Sequence, residues 1–253
     1  VTCISTSTLP TPFDRPVALI TGASRGFGRS LALQLAKKSI HIIALARTIG
    51  ALEELDDDIQ KIGGSATLVA IDLNDKDRLD DIGKQIFERF NRLDYYIANA
   101  AMVGGLMPIS HYNPALFEKI MTVNFHAHWR ILRSIDGLLR LSKQAHALFI
   151  SCDVASNPRA YMGPYSISKA ALLHAMQLYA AETTDTPICV HAFNPGPMAT
   201  RLRKEIMPGE PENTLLPPDK AAEYAIDLFT GNKKYHGHVL TFSPNASNQT
   251  IVA

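Results

Sequence analysis

From Val17 onward the chain alternates short apolar runs with helix-length segments, the rhythm of βαβ units that build a parallel sheet covered on both faces. The apolar runs predict strands at 17–20, 41–46, 67–71, 94–98, 146–151, 188–193 and 238–242. Most of them are aliphatic or β-branched without polar alternation, as strands buried on both faces are. The intervening segments predict helices at 29–37, 49–62, 76–90, 115–141, 165–183 and 218–230. The expected fold class is therefore α/β, a doubly wound, mostly parallel seven-stranded sheet in a single domain over 17–253. Residues 1–16, rich in Ser, Thr and Pro, read as a flexible tail. The connections are short except at 196–216, which follows a strand and carries the basic run Arg201-Leu202-Arg203-Lys204. Ligands bind beyond the carboxyl ends of parallel strands, so this long loop is expected to be a substrate lid.

Composition narrows the function classes. A formal net charge of +1 over 253 residues points to neither nucleic acid nor an anionic membrane as a partner. Cys3, Cys152 and Cys189 are too few and scattered for a disulfide framework, and the odd count fits a reducing compartment, so the cytoplasm is expected. No apolar run reaches the roughly 18 residues of a membrane helix, and residues 1–16 lack the pattern of a secretory signal. No metal is expected: His126 and His128 stand two apart on a predicted helix and diverge, while His236 and His238 have no third ligand in sight.

Two motifs carry chemistry. The first strand runs into Thr21-Gly22-Ala23-Ser24-Arg25-Gly26-Phe27-Gly28, and a helix follows at once. Glycines permit a tight turn and let backbone N–H groups approach a pyrophosphate, and the helix N-terminus favours its charge. Farther on, Tyr165 and Lys169 stand four apart at the start of a helix and share one face. A lysine cation favours the phenolate, so Tyr165 can exchange a proton with a substrate oxygen as general acid or base.

Together, the glycine turn closing the first strand and the Tyr-x-x-x-Lys after the fifth resemble the short-chain dehydrogenase/reductase family, with its Rossmann-like fold, from about Val17 to Phe242. The resemblance implies cofactor-binding roles for Gly22, Ser24, Arg25, Gly26, Phe27 and Gly28. It extends them to Asp72 and Leu73 after the third strand, Asn99 and Ala100 after the fourth, and Pro195, Gly196 and Thr200 after the sixth. Asn124 resembles the helix asparagine that supports a proton-relay water, and Tyr165 and Lys169 the catalytic pair that also contacts the cofactor. A homodimer or homotetramer is implied as well. The sequence departs from the family at Ala98 and Ala101, and more seriously at the catalytic serine, whose usual place holds Cys152, with Ser151 one residue earlier. Neighbours on a strand point to opposite faces, so Ser151 serves only if a bulge shifts the register.

The end of the second strand, Ala44-Leu45-Ala46-Arg47-Thr48, has no acid to bind a ribose 2′-hydroxyl. Arg47 and Arg25 suit a 2′-phosphate instead, so the expected cofactor is NADP(H). The resemblance then implies reduction of a carbonyl to an alcohol. Methionines at 102, 107, 162, 198 and 207 suggest a pliable apolar chamber for a lipophilic ketone or aldehyde. The basic run at 201–204 leaves a 3-oxoacyl thioester on coenzyme A or a carrier protein as an alternative. A cysteine in the serine's place leaves a second one, an NADP(H)-binding sensor or scaffold with impaired catalysis.

Overall fold

A computed structural model describes residues 13–229, 235–243 and 250–252. Seven parallel strands form as expected: β1 (Val17–Thr21), β2 (His41–Ala46), β3 (Ala66–Ala70), β4 (Tyr95–Ala98), β5 (Ala145–Ile150), β6 (Ile188–Asn194) and β7 (Val239–Thr241). An eighth, β8 (Thr250–Val252), pairs antiparallel with β7, and the sheet order is β3-β2-β1-β4-β5-β6-β7-β8. Its three residues, Thr250-Ile251-Val252, are all β-branched and suit a strand, but the run is too short to stand out along the chain; the edge of β7 supplies the pairing partner.

Alternation along the buried strands divides the core into two layers. Val17 and Leu19 of β1, with Ala147 and Phe149 of β5, face α3 (Lys76–Phe90), α5 (Ala127–Arg140) and α6 (Gly163–Glu182). Ala18 and Ile20, with Leu148 and Ile150, face α1 (Gly26–Lys37), α2 (Ile49–Lys61) and α8 (Pro218–Phe229). Each successive residue thus serves the opposite layer, which is why the strands read as unbroken apolar runs. The order of strands across the sheet reverses at β1, which lies between β2 and β4, and this switch point opens the crevice where such folds bind ligands.

Three expectations need correction. The helix expected at 115–141 is broken into α4 (Pro114–Met121), a π turn at Thr122–His126, and α5. The reason is local packing: the wider turn carries Asn124 into the interior, a use to which such turns are commonly put. Helix α6 begins at Gly163, before Tyr165, because Pro164 is tolerated in a first turn where no N–H partner is needed. The long loop also has structure of its own: α7 (Arg201–Ile206) is capped by the Thr200 hydroxyl, which accepts from Arg203 N at 3.2 Å. Residues 1–12 of the expected tail lie outside the described residues, as does residue 230 at the end of the last expected helix. Phe13, within the stretch read as a tail, stacks edge-on against His41 and Phe90 at 5.1 Å.

Candidate active site

The glycine turn at the end of β1 is held by one hydroxyl. Thr21 Oγ1 donates to Ile97 O (3.2 Å) and accepts from the N–H groups of Asn99 (2.9 Å) and Ala100 (3.1 Å). Asn99 replies with its amide, which donates to the carbonyls of Thr21 (2.9 Å) and Gly22 (3.3 Å). Two glycines are required by this closeness. Gly22 sits at φ +66° with Ala100 Cα 3.0 Å from where a Cβ would be, and a Cβ on Gly28 would lie 2.4 Å from Gly22 O and 2.5 Å from Asn99 Nδ2. No side chain caps the N-terminus of α1, so that end is open to the charge of an anion. The cradle therefore fits a dinucleotide pyrophosphate, and Thr200, 3.5 Å from where a Gly26 Cβ would stand, brings the root of the lid up to it.

The remaining residues expected to meet the cofactor follow the carboxyl ends of β1, β2, β3, β4 and β6. Arg25 and Arg47 are exposed, Ser24 half-buried. Asp72 accepts from both the backbone N–H (2.9 Å) and the amide (2.6 Å) of Asn74, and these bonds, aided by the charge of Arg47, hold its carboxyl below the usual range. Leu73 packs against the core below it. Phe27 is buried and stacked on Phe193 at 5.9 Å, which leaves only its backbone to meet a ligand. At the end of β6, Gly196 at φ +67° follows Pro195 and donates to Asn194 Oδ1 (3.0 Å), while Asn194 Nδ2 donates to Asp153 Oδ1 (2.6 Å). The ends of β5 and β6 are thereby tied together.

The proposed reacting groups converge where α6 meets β5. Tyr165 packs with Val103, Val154 and Met162, and Cys152, Leu202 and Ile206 lie against the same cluster. Cys152 has an extended backbone, φ −163° and ψ 165°, so Ser151 before it points the other way. Ser151 is buried, with its N–H bonded to Phe193 O at 2.8 Å. Lys169 is buried and donates through Nζ to Ile150 O at 2.8 Å, and burial holds its pKa below the ordinary lysine value. The expected depression of the Tyr165 pKa by Lys169 is reversed within the protein: burial first, then the neighbouring Cys152 thiol, pushes the phenol well above its usual range. Desolvation of the phenolate is the larger cause.

Asn124, expected to support a water, spends its amide on protein groups. It accepts from Met102 N (2.8 Å) and donates to Met102 O (2.9 Å) and Ser168 Oγ (2.9 Å), and Ser168 donates in turn to Tyr165 O (2.8 Å). It thus joins the segment after β4 to the helix that carries Tyr165. Thr21, Ser168, Asn194 and Asp153 join the site only through the fold. Of these, Thr21 alone, at the head of the glycine motif, carries a sequence signal.

A family model described as short chain dehydrogenase matches residues 16–211. The chain belongs to the short-chain dehydrogenase family. The "Uncharacterized oxidoreductase YciK" of Escherichia coli is 29% identical over 205 residues, covering 80% of this chain and 81% of the relative. The "NADPH-dependent pterin aldehyde reductase" of Arabidopsis thaliana is 27% identical, covering 89% of this chain and 97% of the relative. Among solved structures, a short chain dehydrogenase from Escherichia coli CFT073 complexed with NADPH superimposes with a TM-score of 0.81 at 27% identity, over 91% of this chain and 96% of that one. This short-chain dehydrogenase is therefore an oxidoreductase with a Rossmann-like single domain.

Beside the reacting groups lies a cavity of about 530 Å³, lined by Leu106, Met107, Pro108, Arg159, Ala160, Tyr161, Met162, Ile206 and Met207. Three of these, Met107, Met162 and Met207, are among the methionines expected to form an apolar chamber. Two cations of the loop after β6 pair within it: Arg203 forms a forked pair with Glu210 at 2.6 Å, and exposed Arg201 meets Glu205 at 3.3 Å. Among the described residues no helix is long and apolar enough to cross a membrane.

Proposed function

We propose that this short-chain dehydrogenase uses NADPH to reduce an apolar ketone or aldehyde, with Tyr165 as the general acid. The observation that carries the reading is the meeting of Tyr165, Cys152 and buried Lys169 beside a largely apolar cavity. When bound, the nicotinamide supplies the hydride. The chain's own residues do the rest. Gly22, Gly26 and Gly28 receive the pyrophosphate, Arg25 and Arg47 the 2′-phosphate, and Asp72, Leu73, Asn99, Ala100, Pro195, Gly196 and Thr200 line the crevice. The raised pKa of Tyr165 keeps its proton on the phenol until the substrate oxygen gathers negative charge, when the proton passes to it. Cys152, facing the same oxygen, offers a weak S–H donor.

The forked pair with Glu210 occupies Arg203, one of the cations that a thioester's phosphate would meet. One observation favours a second reading, of a cofactor-binding sensor or scaffold: a thiol stands where the family places a hydroxyl. Free thiols at Cys152 and Cys189 support a cytoplasmic setting. The exposed Trp129 of α5 and Leu178 of α6 support a homo-oligomer.

The test is a screen of carbonyl compounds, an acetoacetyl thioester included, with NADPH consumption and NADPH binding followed on one preparation. Turnover of an apolar carbonyl is expected; binding without turnover establishes the sensor. NADPH is expected to bind more tightly than NADH, and Arg47→Asp to erase the preference. An unchanged preference in that variant removes Arg47 from the phosphate site.

A further inference from the structure

The segment that leaves β4 connects the nucleotide cradle to the reacting groups, because Asn99 lies against Gly22 and Gly28 while Met102 is tied through Asn124 and Ser168 to Tyr165. Its backbone polar atoms are engaged one after another. Thr21 Oγ1 holds the N–H groups of Asn99 and Ala100, and Asn124 holds both N and O of Met102. Between these two clamps lies the carbonyl of Ala100. His128 Nε2 stands 2.9 Å from it.

We infer that His128 is a positioning residue, which fixes the Ala100–Ala101 peptide where the nicotinamide half of the cofactor must lie. The inference rests on the cofactor reading proposed above. A carbonyl only accepts, so Nε2 carries the proton. Nδ1 is then a lone pair, and the hydroxyl of Tyr96 stands 3.3 Å from both it and the His128 carbonyl, its one proton shared between the two acceptors. Both His128 and Tyr96 are fully buried, so neither bond is shared with solvent. Burial pulls the imidazole pKa down to about 4, with the Lys169 cation adding to the shift, and the ring remains neutral in this single tautomer at ordinary pH. The π turn lies just ahead: Asn124 is inside it, and His128 stands two residues past its end. Both side chains reach the same segment from one helical stretch, while His126 between them is exposed.

A buried carbonyl deprived of its donor turns to find another. Rotation of this peptide would move the wall between the cradle and Tyr165, and cofactor affinity would report it.

Three variants separate positioning from mere packing. In His128→Gln the side-chain amide nitrogen reaches the place of Nε2; in His128→Asn it stops near the place of Nδ1; His128→Leu has no donor. NADPH binding, the KM values for NADPH and carbonyl substrate, and Tm are measured on each. His128→Asn and His128→Leu are expected to weaken NADPH binding about tenfold, the size of one lost hydrogen bond. The KM for the carbonyl should stay near wild type, and His128→Gln should restore most of the NADPH affinity. Wild-type affinity in all three overturns the inference, as does equal loss in the Gln and Asn variants. If His128→Leu does not fold, the Gln and Asn pair decides. Failure of all three to fold overturns it too, by making His128 part of the fold alone. A wild type that binds no NADPH at a working concentration overturns the cofactor reading itself, an outcome visible before any variant is made.

Discussion

The nucleotide end and the substrate end of the crevice are built on opposite terms. At the first, backbone meets backbone: one threonine hydroxyl serves three partners, an asparagine amide bridges two carbonyls, and a methyl group on Gly28 has no place to go. At the second, side chains do nearly everything. Methionine, leucine and tyrosine line the cavity, several of them exposed, and the 201–210 segment, which carries its own ion pairs, adds Ile206 and Met207 to the lining. Main-chain recognition is rigid and tolerates few changes, whereas flexible apolar walls accept substitution and varied ligands. Under the proposed function, the first sets affinity for the cofactor and the second the choice of substrate.

Acid is expected to erase both ends together. Burial holds His128 and His146 at about 4 and His191 at about 3 in the folded state, against about 6.5 when unfolded. The unfolded chain therefore binds more protons between these values, and stability, undiminished above pH 6.5, is lost as pH falls toward 4. Each tenfold change in proton affinity is worth about 1.4 kcal/mol, so three such imidazoles weigh heavily against a total stability of about 5–15 kcal/mol. Thermal unfolding followed from pH 7.5 to 4.5 should show Tm falling steeply below about 6.5. A flat profile would mean the imidazoles reach solvent.

Tyr165→Phe separates the ends most cleanly. Loss of the general acid is expected to lower kcat by about 10²–10⁴, with NADPH affinity and Tm close to wild type. Substantial turnover in that protein removes Tyr165 from the mechanism. Gly28→Ala should do the reverse. Crowding of Gly22 O and Asn99 Nδ2 costs about 1–3 kcal/mol, read as NADPH affinity lowered roughly ten- to a hundredfold, while the ranking of carbonyl substrates is unchanged. A changed ranking would show that the two ends are not independent. The smallest effect is expected at Cys152. A hydroxyl donates better than a thiol to a developing oxyanion, so Cys152→Ser should raise turnover by about tenfold, a fraction of what a whole donor contributes, with NADPH affinity unmoved. If that variant is neutral or impaired while Ser151→Ala is inactive, Ser151 is the donor despite the extended backbone at Cys152.

Sequence is informative where chemistry is local. The glycine turn, Tyr165 with Lys169, and seven strands can be located because spacing along the chain fixes them. Contacts that bring distant residues together leave no such trace. Nothing near Thr21 foretells its bonds to Asn99 and Ala100, more than seventy residues away, and His128 resembles any other polar residue on a helix until Ala100 is placed beside it. The π turn is invisible in the sequence because helical periodicity runs on through a single widened turn. The pKa of Tyr165 moves against the direction expected of it because a neighbouring cation is legible in the sequence and burial of a phenol among residues from distant segments is not.

The short antiparallel β8 has a consequence for handling the protein. It covers β7, itself only three residues long. Without it, the N–H and C=O groups along the outer side of β7 would face the surroundings as a template for any extended chain, including another molecule of the same kind. Purification tags or truncations placed at Thr250–Val252 should therefore favour aggregation on storage while leaving freshly prepared material active.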